Sequence, residues 1–385
     1  MNNGFKLIIA GGKTGGHLFP GIAVAQAVQR LNKDARVLFV GTDSPFEIQT
    51  LADYGYPHRP IYSKPVKGGN LFKQLFSVSI ILVSLAQSLA ILMKNRPGFV
   101  LGVGGFSSFA VVLAAWILRI PTAIQEQNAV PGMTNRMLSR FAQTIFTSFE
   151  STREFEHCPK TCYVGNPVRK PHQKPLQKTD RKSARTETAE PTTSNHRHPD
   201  RFTLLITGGS QGATSINTAV IDAFKAMKTV SNFHIIHQTG ARDLEKIRAT
   251  YRELDIPAVA QAFFTDMPRL QKTADLIISR AGAGTLSELS LLGKPAILVP
   301  FPHAADDHQT VNAASVVKKG GALMIPDHDL NGERLKTLLN ELTDDPVRLE
   351  RMGKAMKSMA MPDADKKIAA HILNSQPGKK RGGKE

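Results

Sequence analysis

The sequence predicts an α/β protein made of two halves, each a parallel sheet with helices on both faces. Three observations carry this expectation. Short apolar runs of strand length alternate with longer amphipathic segments. After a polar stretch near the middle of the chain, the alternation starts again. Three glycine-rich turns, Gly11-Gly12-Lys13-Thr14-Gly15-Gly16-His17, Gly208-Gly209-Ser210-Gln211-Gly212-Ala213 and Arg280-Ala281-Gly282-Ala283-Gly284-Thr285-Leu286-Ser287-Glu288, each follow an apolar run and precede an amphipathic one. A strand, a glycine turn and a helix start direct unpaired backbone N–H groups and the positive end of a helix dipole at one point, which suits a phosphate. Three such turns over two halves imply two phosphate-handling lobes facing across a cleft.

The elements follow in order. Residues 6–10 (KLIIA) read as a buried strand, the first glycine turn follows, and a helix is expected over 18–31. Residues 37–41 (VLFVG) and 99–103 (FVLGV) are the next strands. After the latter come Gly104-Gly105-Phe106-Ser107-Ser108 and an apolar helix to residue 118, and 122–125 is a strand again. The pattern restarts at 202–207 (FTLLIT), continues through a glycine turn and a helix from about residue 215, and adds strands at 234–237, 276–279 and 296–300. Two Rossmann-like halves result, whose ligands bind beyond the carboxyl ends of the strands, where the glycine turns lie. The expected boundaries are 1–170 for the first domain, 171–201 for a linker, 202–365 for the second domain and 366–385 for a C-terminal helix and basic tail. The linker is rich in Lys, Arg, Thr, Ser, His and Pro and nearly lacks large apolar residues, so it reads as solvated and flexible. The tail, with Lys379-Lys380-Arg381, reads the same way.

With 385 residues and 41% apolar content the chain can build two ordinary cores. A formal charge of +17 and a pI near 9.9 call for an anionic partner: nucleic acid, an anionic membrane surface or a phosphorylated substrate. The absence of zinc-finger spacing and of an RRM-type aromatic motif argues against nucleic acid. Cys158 and Cys162 cannot form a disulfide framework, and no second Cys/His pair stands at metal-ligand spacing. Reduced thiols and no zinc are therefore expected. One Lys before the first strand does not make a signal peptide.

Residues 74–93 are uncharged and apolar. A spanning helix needs about 20 mostly apolar residues. This run barely reaches that length, contains Ser77, Ser79, Ser84, Gln87 and Ser88, and lies between strands of one sheet. A crossover helix is expected, either fully buried or buried on one face with an apolar patch on the other. Lys64, Lys67, Lys73, Lys94 and Arg96 flank it, and apolar surface ringed by basic residues docks on anionic bilayers.

Five ordered stretches, GGKTGGHLFPGIAVA, EQNAVPGMTNR, VGNPVR, GGSQGA and RAGAGTLSE, make the chain similar to the MurG family. These transferases move GlcNAc from UDP-GlcNAc to the muramoyl sugar of undecaprenyl-pyrophosphoryl-MurNAc-pentapeptide, making lipid II from lipid I for peptidoglycan. The resemblance runs from about residue 6 to 366, apart from the linker. It implies the GT-B fold, two Rossmann-like domains with the active site in the cleft. It also implies an inverting reaction with no cofactor and no dedicated metal site. Acceptor and membrane would meet the first domain and UDP-GlcNAc the second. The protein would sit peripherally on the cytoplasmic face of the bacterial cell membrane, with cell-wall synthesis proteins as candidate partners. Two other readings are a different sugar-nucleotide enzyme, such as a glycolipid glycosyltransferase or a UDP-GlcNAc epimerase, and a non-enzymatic basic protein that binds polyanions. The EQN, GNPVR and GGSQGA set argues against the first, and three phosphate turns against the second.

The resemblance also implies roles for residues. Thr14, Gly15 and Gly16 would form the cleft floor beside the sugar and the lipid diphosphate. His17 is either the general base for the acceptor hydroxyl, working near its ordinary pKa, or a residue that only caps the helix and orients the turn. Glu126, the second catalytic candidate, would hold the His17 region, and Asn128 would contact the transferred sugar. Arg169 would bind a phosphate oxygen of the departing UDP. Ser210 would meet diphosphate or ribose, the backbone of Phe264 the uracil, and Gln309 the GlcNAc hydroxyls. The stretch Ala283, Gly284, Thr285, Leu286, Ser287 and Glu288 would bind UDP-GlcNAc, with Glu288 accepting from the ribose hydroxyls. Lys13 stands where the family has a third glycine. It is read as a tolerated substitution that adds a cation near the acceptor diphosphate.

Overall fold

Strands of nearly unbroken apolar character are stable only when both faces are covered, and a parallel sheet flanked by helices provides that. The structure, a computed structural model, describes residues 4–63, 71–168, 200–227 and 229–375, the side chains of 71–78 excepted. Arg169, nearly all of the expected linker, the tail from 376, Lys64 and Lys67 lie outside the described residues, as does the Lys73 side chain.

The first half contains β1 (Lys6–Ala10), α1 (Gly15–Leu31), β2 (Arg36–Gly41), α2 (Pro45–Asp53), β3 (His58–Pro60), α3 (Leu71–Asn95), β4 (Phe99–Gly102), α4 (Phe106–Ile117), β5 (Thr122–Glu126), α5 (Met133–Leu138), β6 (Thr144–Thr147) and β7 (Thr161–Tyr163). The second contains β8 (Phe202–Thr207), α6 (Thr214–Ala226), β9 (Phe233–Gln238), α7 (Leu244–Glu253), β10 (Ala258–Gln261), α8 (Met267–Thr273), β11 (Leu276–Ser279), α9 (Ala283–Leu292), β12 (Ala296–Leu298), α10 (His308–Lys318), β13 (Ala322–Met324), α11 (Gly332–Thr343), α12 (Pro346–Ser358) and α13 (Ala364–Asn374). The strands form two sheets, ordered β3-β2-β1-β4-β5-β6-β7 and β10-β9-β8-β11-β12-β13. Each pairing is parallel, for example Leu7 opposite Phe99 and Leu204 opposite Leu276.

Each sheet has an apolar core on both faces. In the first, Leu18, Ile22 and Val28 of α1 pack on Leu7, Ile9 and Phe39, while Leu92 of α3 and Val111 of α4 pack on Ile8 and Val100. The alternation of Leu7 and Ile9 with Ile8 follows from the two-residue period of a strand. The C-terminal helix does not stay with the second sheet. Ile368, Ala369 and Ile372 of α13 are buried in the core beneath α1. Each isoleucine contributes roughly 1.5–3 kcal/mol. Arg30 pairs with Asp365 at 2.5 Å, and His371 meets Thr144 Oγ1 at 3.1 Å, so the chain closes back on its first half.

Helix α1 begins three residues before the expected Leu18. Thr14 takes the N-cap in an extended conformation, and its carbonyl accepts from His17 and Leu18 N–H, which draws Gly15, Gly16 and His17 into the first turn. Helix α3 buries Ile80, Ser84, Ser88 and Leu92 along one stripe and exposes Leu82, Val83 and Met93. The buried serines donate to carbonyls one turn back, Ser84 to Ile80 at 2.8 Å and Ser88 to Ser84 at 2.7 Å. Among the described residues, no helix is long and apolar enough to cross a membrane.

Candidate active site

In each sheet the chain reverses its winding between two central strands, β1 and β4 in the first and β8 and β11 in the second. Ligands bind outside the carboxyl ends at such a switch point. All three glycine turns singled out in the sequence leave these strands, and so does a fourth, Gly104-Gly105, after β4. Gly11 (φ 110°) and Gly12 (φ 130°) carry the left-handed backbone of the first turn. Lys13 is exposed and has no positive φ, so the turn accepts it without strain. Turns one and four interlock: a Cβ on Gly11 would lie 2.0 Å from the Gly104 carbonyl oxygen, and one on Gly104 would lie 2.9 Å from Cδ2 of His17.

His17 therefore rests its ring on Gly104, and its Nδ1 is 3.2 Å from Thr14 Oγ1. Burial, then the neighbouring His308, push its pKa down to about 4. This lies below the ordinary histidine range, and loss of solvation is the first cause. His308 opens α10 in the second half, so the electrostatic neighbour of His17 comes from the other domain.

Glu126 makes its hydrogen bonds within its own loop. Its carboxylate is 2% exposed, and the described side-chain partners are on the stretch that follows. It accepts from Asn128 N (2.9 Å), Gly132 N (3.1 Å) and Asn135 Nδ2 (2.8 Å). Burial raises its pKa against these opposing hydrogen bonds. Glu126 thus shapes the EQNAVPG loop from within. Gln127 ties that loop to the fourth glycine turn, donating to Val103 O at 2.9 Å.

The loop meets the other half through Asn312 of α10. Asn312 Oδ1 accepts from Ala129 N at 2.9 Å, and its Nδ2 donates to Asn128 Oδ1 at 3.1 Å and Ala281 O at 3.2 Å. Asn128 is therefore engaged at the domain junction. Gln309 Oε1 accepts from Ala281 N (3.1 Å) and Phe301 N (3.0 Å), so α10 grips the third glycine turn by both its N–H and its carbonyl. Arg136 of α5 reaches across to Asp306 at 3.2 Å.

On the second half, Ser210 is exposed at the second turn. At the third, Gly282 caps α9, and Leu286 N–H already donates to Gly282 O, which leaves the N–H groups of Ala283, Gly284 and Thr285 open. Leu286 is in the core, and Ser287 Oγ donates to Ala283 O at 2.8 Å. Glu288 accepts from Gln271 Nε2 at 3.0 Å. The N–H of Phe264 is taken by Gln238 Oε1 at 2.9 Å, so the carbonyl is its backbone group left for a base. Arg280 is structural, donating to Val299 O, Pro300 O and Ser215 Oγ and pairing with Asp327. Sequence reasoning missed Asn312 and Gln238, although Asn312 sits three residues past Gln309. It quoted the Gly104-Gly105 turn without assigning it a site, though its place after a strand was the available signal.

Two doubly wound parallel sheets with glycine turns at their switch points define the GT-B fold. Residues 7–147 match the glycosyltransferase family 28 N-terminal domain, and residues 203–368 the C-terminal domain of the same family. A Myxococcus xanthus UDP-N-acetylglucosamine--N-acetylmuramyl-(pentapeptide) pyrophosphoryl-undecaprenol N-acetylglucosamine transferase is 39% identical over 94% of this chain and 91% of its own length. Its Geobacter sulfurreducens namesake is 40% identical over 96% and 98%. The crystal structure of Acinetobacter baumannii MurG superposes with a TM-score of 0.76 at 28% identity, over 96% of this chain and 99% of that one. The chain belongs to glycosyltransferase family 28, in its MurG group.

Proposed function

We propose that this enzyme transfers GlcNAc from UDP-GlcNAc to the 4-hydroxyl of MurNAc in undecaprenyl-pyrophosphoryl-MurNAc-pentapeptide, converting lipid I to lipid II. The observation that carries the reading is the convergence of four glycine turns at two facing switch points, in a chain similar along its length to enzymes of that name. The donor lies on the second half. Its diphosphate faces the second turn and the open N–H groups of α9, where helix dipole and amides stabilise the negative charge of departing UDP. Thr285 and Ser210 add hydroxyl donors, Glu288 accepts from ribose hydroxyls, and the Phe264 carbonyl reads the uracil. The Nε2 amide of Gln309, whose Oε1 is engaged, points to the sugar hydroxyls. Arg169 is assigned to the UDP phosphates on its sequence motif.

The acceptor lies on the first half, its diphosphate between the first and fourth turns, with Lys13 adding a cation. His17 is the base. When Nδ1–H donates to Thr14 Oγ1, Nε2 keeps a lone pair, and a pKa of about 4 leaves the ring neutral at pH 7. It takes the hydroxyl proton as the 4-oxygen attacks the anomeric carbon in line and the C1–O bond to UDP breaks. Asn128, fixed by Asn312, orients the sugar between the halves.

The acceptor is a lipid, so the first half must reach a membrane. Leu82, Val83 and Met93 on α3 and Trp116 and Ile117 on α4 are exposed, and these helices pack together. Beside Trp116 a recess of about 520 Å³ is lined by Arg119, Arg140, Lys160 and Phe141. Apolar surface next to cations supports docking on an anionic inner-leaflet surface, and a peripheral cytoplasmic-face location.

Incubation with labelled UDP-GlcNAc, with and without a lipid I analogue, in detergent and EDTA tests the reading. Label is expected in lipid only when acceptor is present. UDP-GlcNAc binding without transfer would remove the acceptor assignment, and conversion of UDP-GlcNAc without acceptor would indicate an epimerase.

A further inference from the structure

We infer that Gln238, the last residue of β9, positions the carbonyl of Phe264 and ties it to the second glycine turn, and so sets the preference for uracil over cytosine in the donor nucleotide. The inference rests on the donor reading above.

Gln238 is 3% exposed and spans the two loops with one carboxamide. Its Oε1 accepts from Phe264 N at 2.9 Å, and its Nε2 donates to Gly209 O at 2.8 Å and to Thr207 Oγ1 at 3.3 Å. The orientation of the amide is determined by its partners. Phe264 N–H can only donate and Gly209 O can only accept, so exchanging oxygen and nitrogen would break both bonds. Thr207 Oγ1 also accepts from Gly209 N at 3.2 Å, which holds the start of the turn to the strand it leaves.

The end of β9 is itself rigidly seated. His237 is fully buried, with Nδ1 2.8 Å from Tyr251 Oη and Nε2 3.0 Å from Asn217 Oδ1. Asn217 Nδ2 donates to Thr239 O (2.9 Å) and Asp243 Oδ2 (2.8 Å), so its Oδ1 is the acceptor and His237 carries its proton on Nε2. A Cβ on Gly240 would lie 2.2 Å from Gln211 O, so the segment after β9 abuts the second turn directly. The diphosphate turn, the end of β9 and the Phe264 stretch are therefore in direct contact: Thr239 N donates to Gln261 O (3.0 Å) and Gly240 N to Ala262 O (3.1 Å), and Gln238 is the side chain that joins the Phe264 N–H to the turn.

This arrangement decides what Phe264 can recognise. With its N–H consumed, it offers a carbonyl, which accepts from the N3–H of uracil. Cytosine presents a lone pair at N3, and two acceptors repel. The discrimination depends on the carbonyl being held in place, because a loop free to rotate can present an N–H instead.

Binding of UDP and CDP to the wild-type chain, Gln238→Met and Gln238→Glu, measured by calorimetry alongside thermal melting, tests this. Methionine keeps the shape without either hydrogen bond. Glutamate keeps the acceptor for Phe264 N–H but sets a second oxygen against Gly209 O. In Gln238→Met the UDP-over-CDP affinity ratio is expected to fall about tenfold, chiefly through weaker UDP. In Gln238→Glu the ratio is expected to stay within about twofold of wild type, while UDP affinity itself drops as the second turn loses its donor. A merely structural role would lower the melting temperature of Gln238→Met and leave its UDP-over-CDP affinity ratio unchanged, and that result overturns the inference. Equal loss of the ratio in Gln238→Glu also overturns it, and this arm stands should Gln238→Met not fold. A wild-type chain without preference for UDP over CDP would instead overturn the donor reading itself.

Discussion

Replacing Asn312 by alanine is the most exacting test of how the two halves are held together. Asn312 is 0% exposed and makes three hydrogen bonds, at 2.9, 3.1 and 3.2 Å, to groups on both sides of the cleft. Alanine leaves the buried N–H of Ala129 without an acceptor and frees both Asn128 and the Ala281 carbonyl. Each bond lost costs about 1 kcal/mol, and an orphaned buried N–H about 1–3 kcal/mol. Of these only the bonds to Ala129 N and Asn128 Oδ1 cross between the halves, so the apposed arrangement is weakened by about 2–4 kcal/mol. If transfer requires that arrangement, kcat/KM falls by at least about 30-fold. UDP affinity should change by less than about fivefold, because Gln309 still holds Ala281 N–H. Steady-state transfer with a lipid I analogue, UDP calorimetry and thermal melting separate these effects. Asn312→Asp keeps the acceptor for Ala129 but faces two oxygens with a third, so it should recover little. A folded Asn312→Ala enzyme with kcat/KM within threefold of wild type would show that this junction does not control transfer.

His17→Ala is expected to lower kcat by about 10²–10⁴ with UDP-GlcNAc affinity unchanged, and full turnover would remove His17 as the base. With its pKa at about 4, the acid limb of kcat/KM should lie well below the ordinary histidine range; a limb near pH 6.5 would contradict the burial argument. The depressed pKa values of His17 (about 4) and His237 (about 3) also link stability to pH. Between these values and 6.5 the unfolded chain binds more protons, so stability is lost as pH falls below 6.5, by up to about 1.4 kcal/mol per pH unit per histidine. His237→Gln should flatten this dependence in urea titrations, and an unchanged slope would exclude His237 as a contributor. Leu82→Glu with Val83→Glu should weaken sedimentation with anionic vesicles while leaving UDP binding intact; unaltered sedimentation would move the docking face elsewhere.

The strands were legible because burial on both faces writes them as continuous apolar runs. KLIIA and FTLLIT occur at the expected positions, and Leu276–Ser279 likewise. Helix starts were less legible. Gly15 and Gly16 read as loop, yet Thr14 supplies the cap that makes them the first helical turn. The apolar run within α3 was readable as a helix, but which face it buries depends on its packing beside α4. C-terminal residues 366–374 were readable as a helix, and nothing in their pattern told that Ile368 and Ile372 would pack under α1 in the opposite half.

The two α/β halves, the glycine turns and the family resemblance are written in local patterns: strand period, backbone freedom at glycine and motif order. What the polar side chains near those turns bond to is set by packing between distant segments. Glu126 serves its own loop, Asn312 joins the halves and Gln238 couples two loops. Hydrogen-bond partners such as Asn128 and Asn312 are 184 residues apart in the chain. A carboxamide or carboxylate also carries no mark of which partner it will meet. That choice is made by the packing of sheets and helices, which sets the distances, excludes water and thereby makes each unpaired group costly.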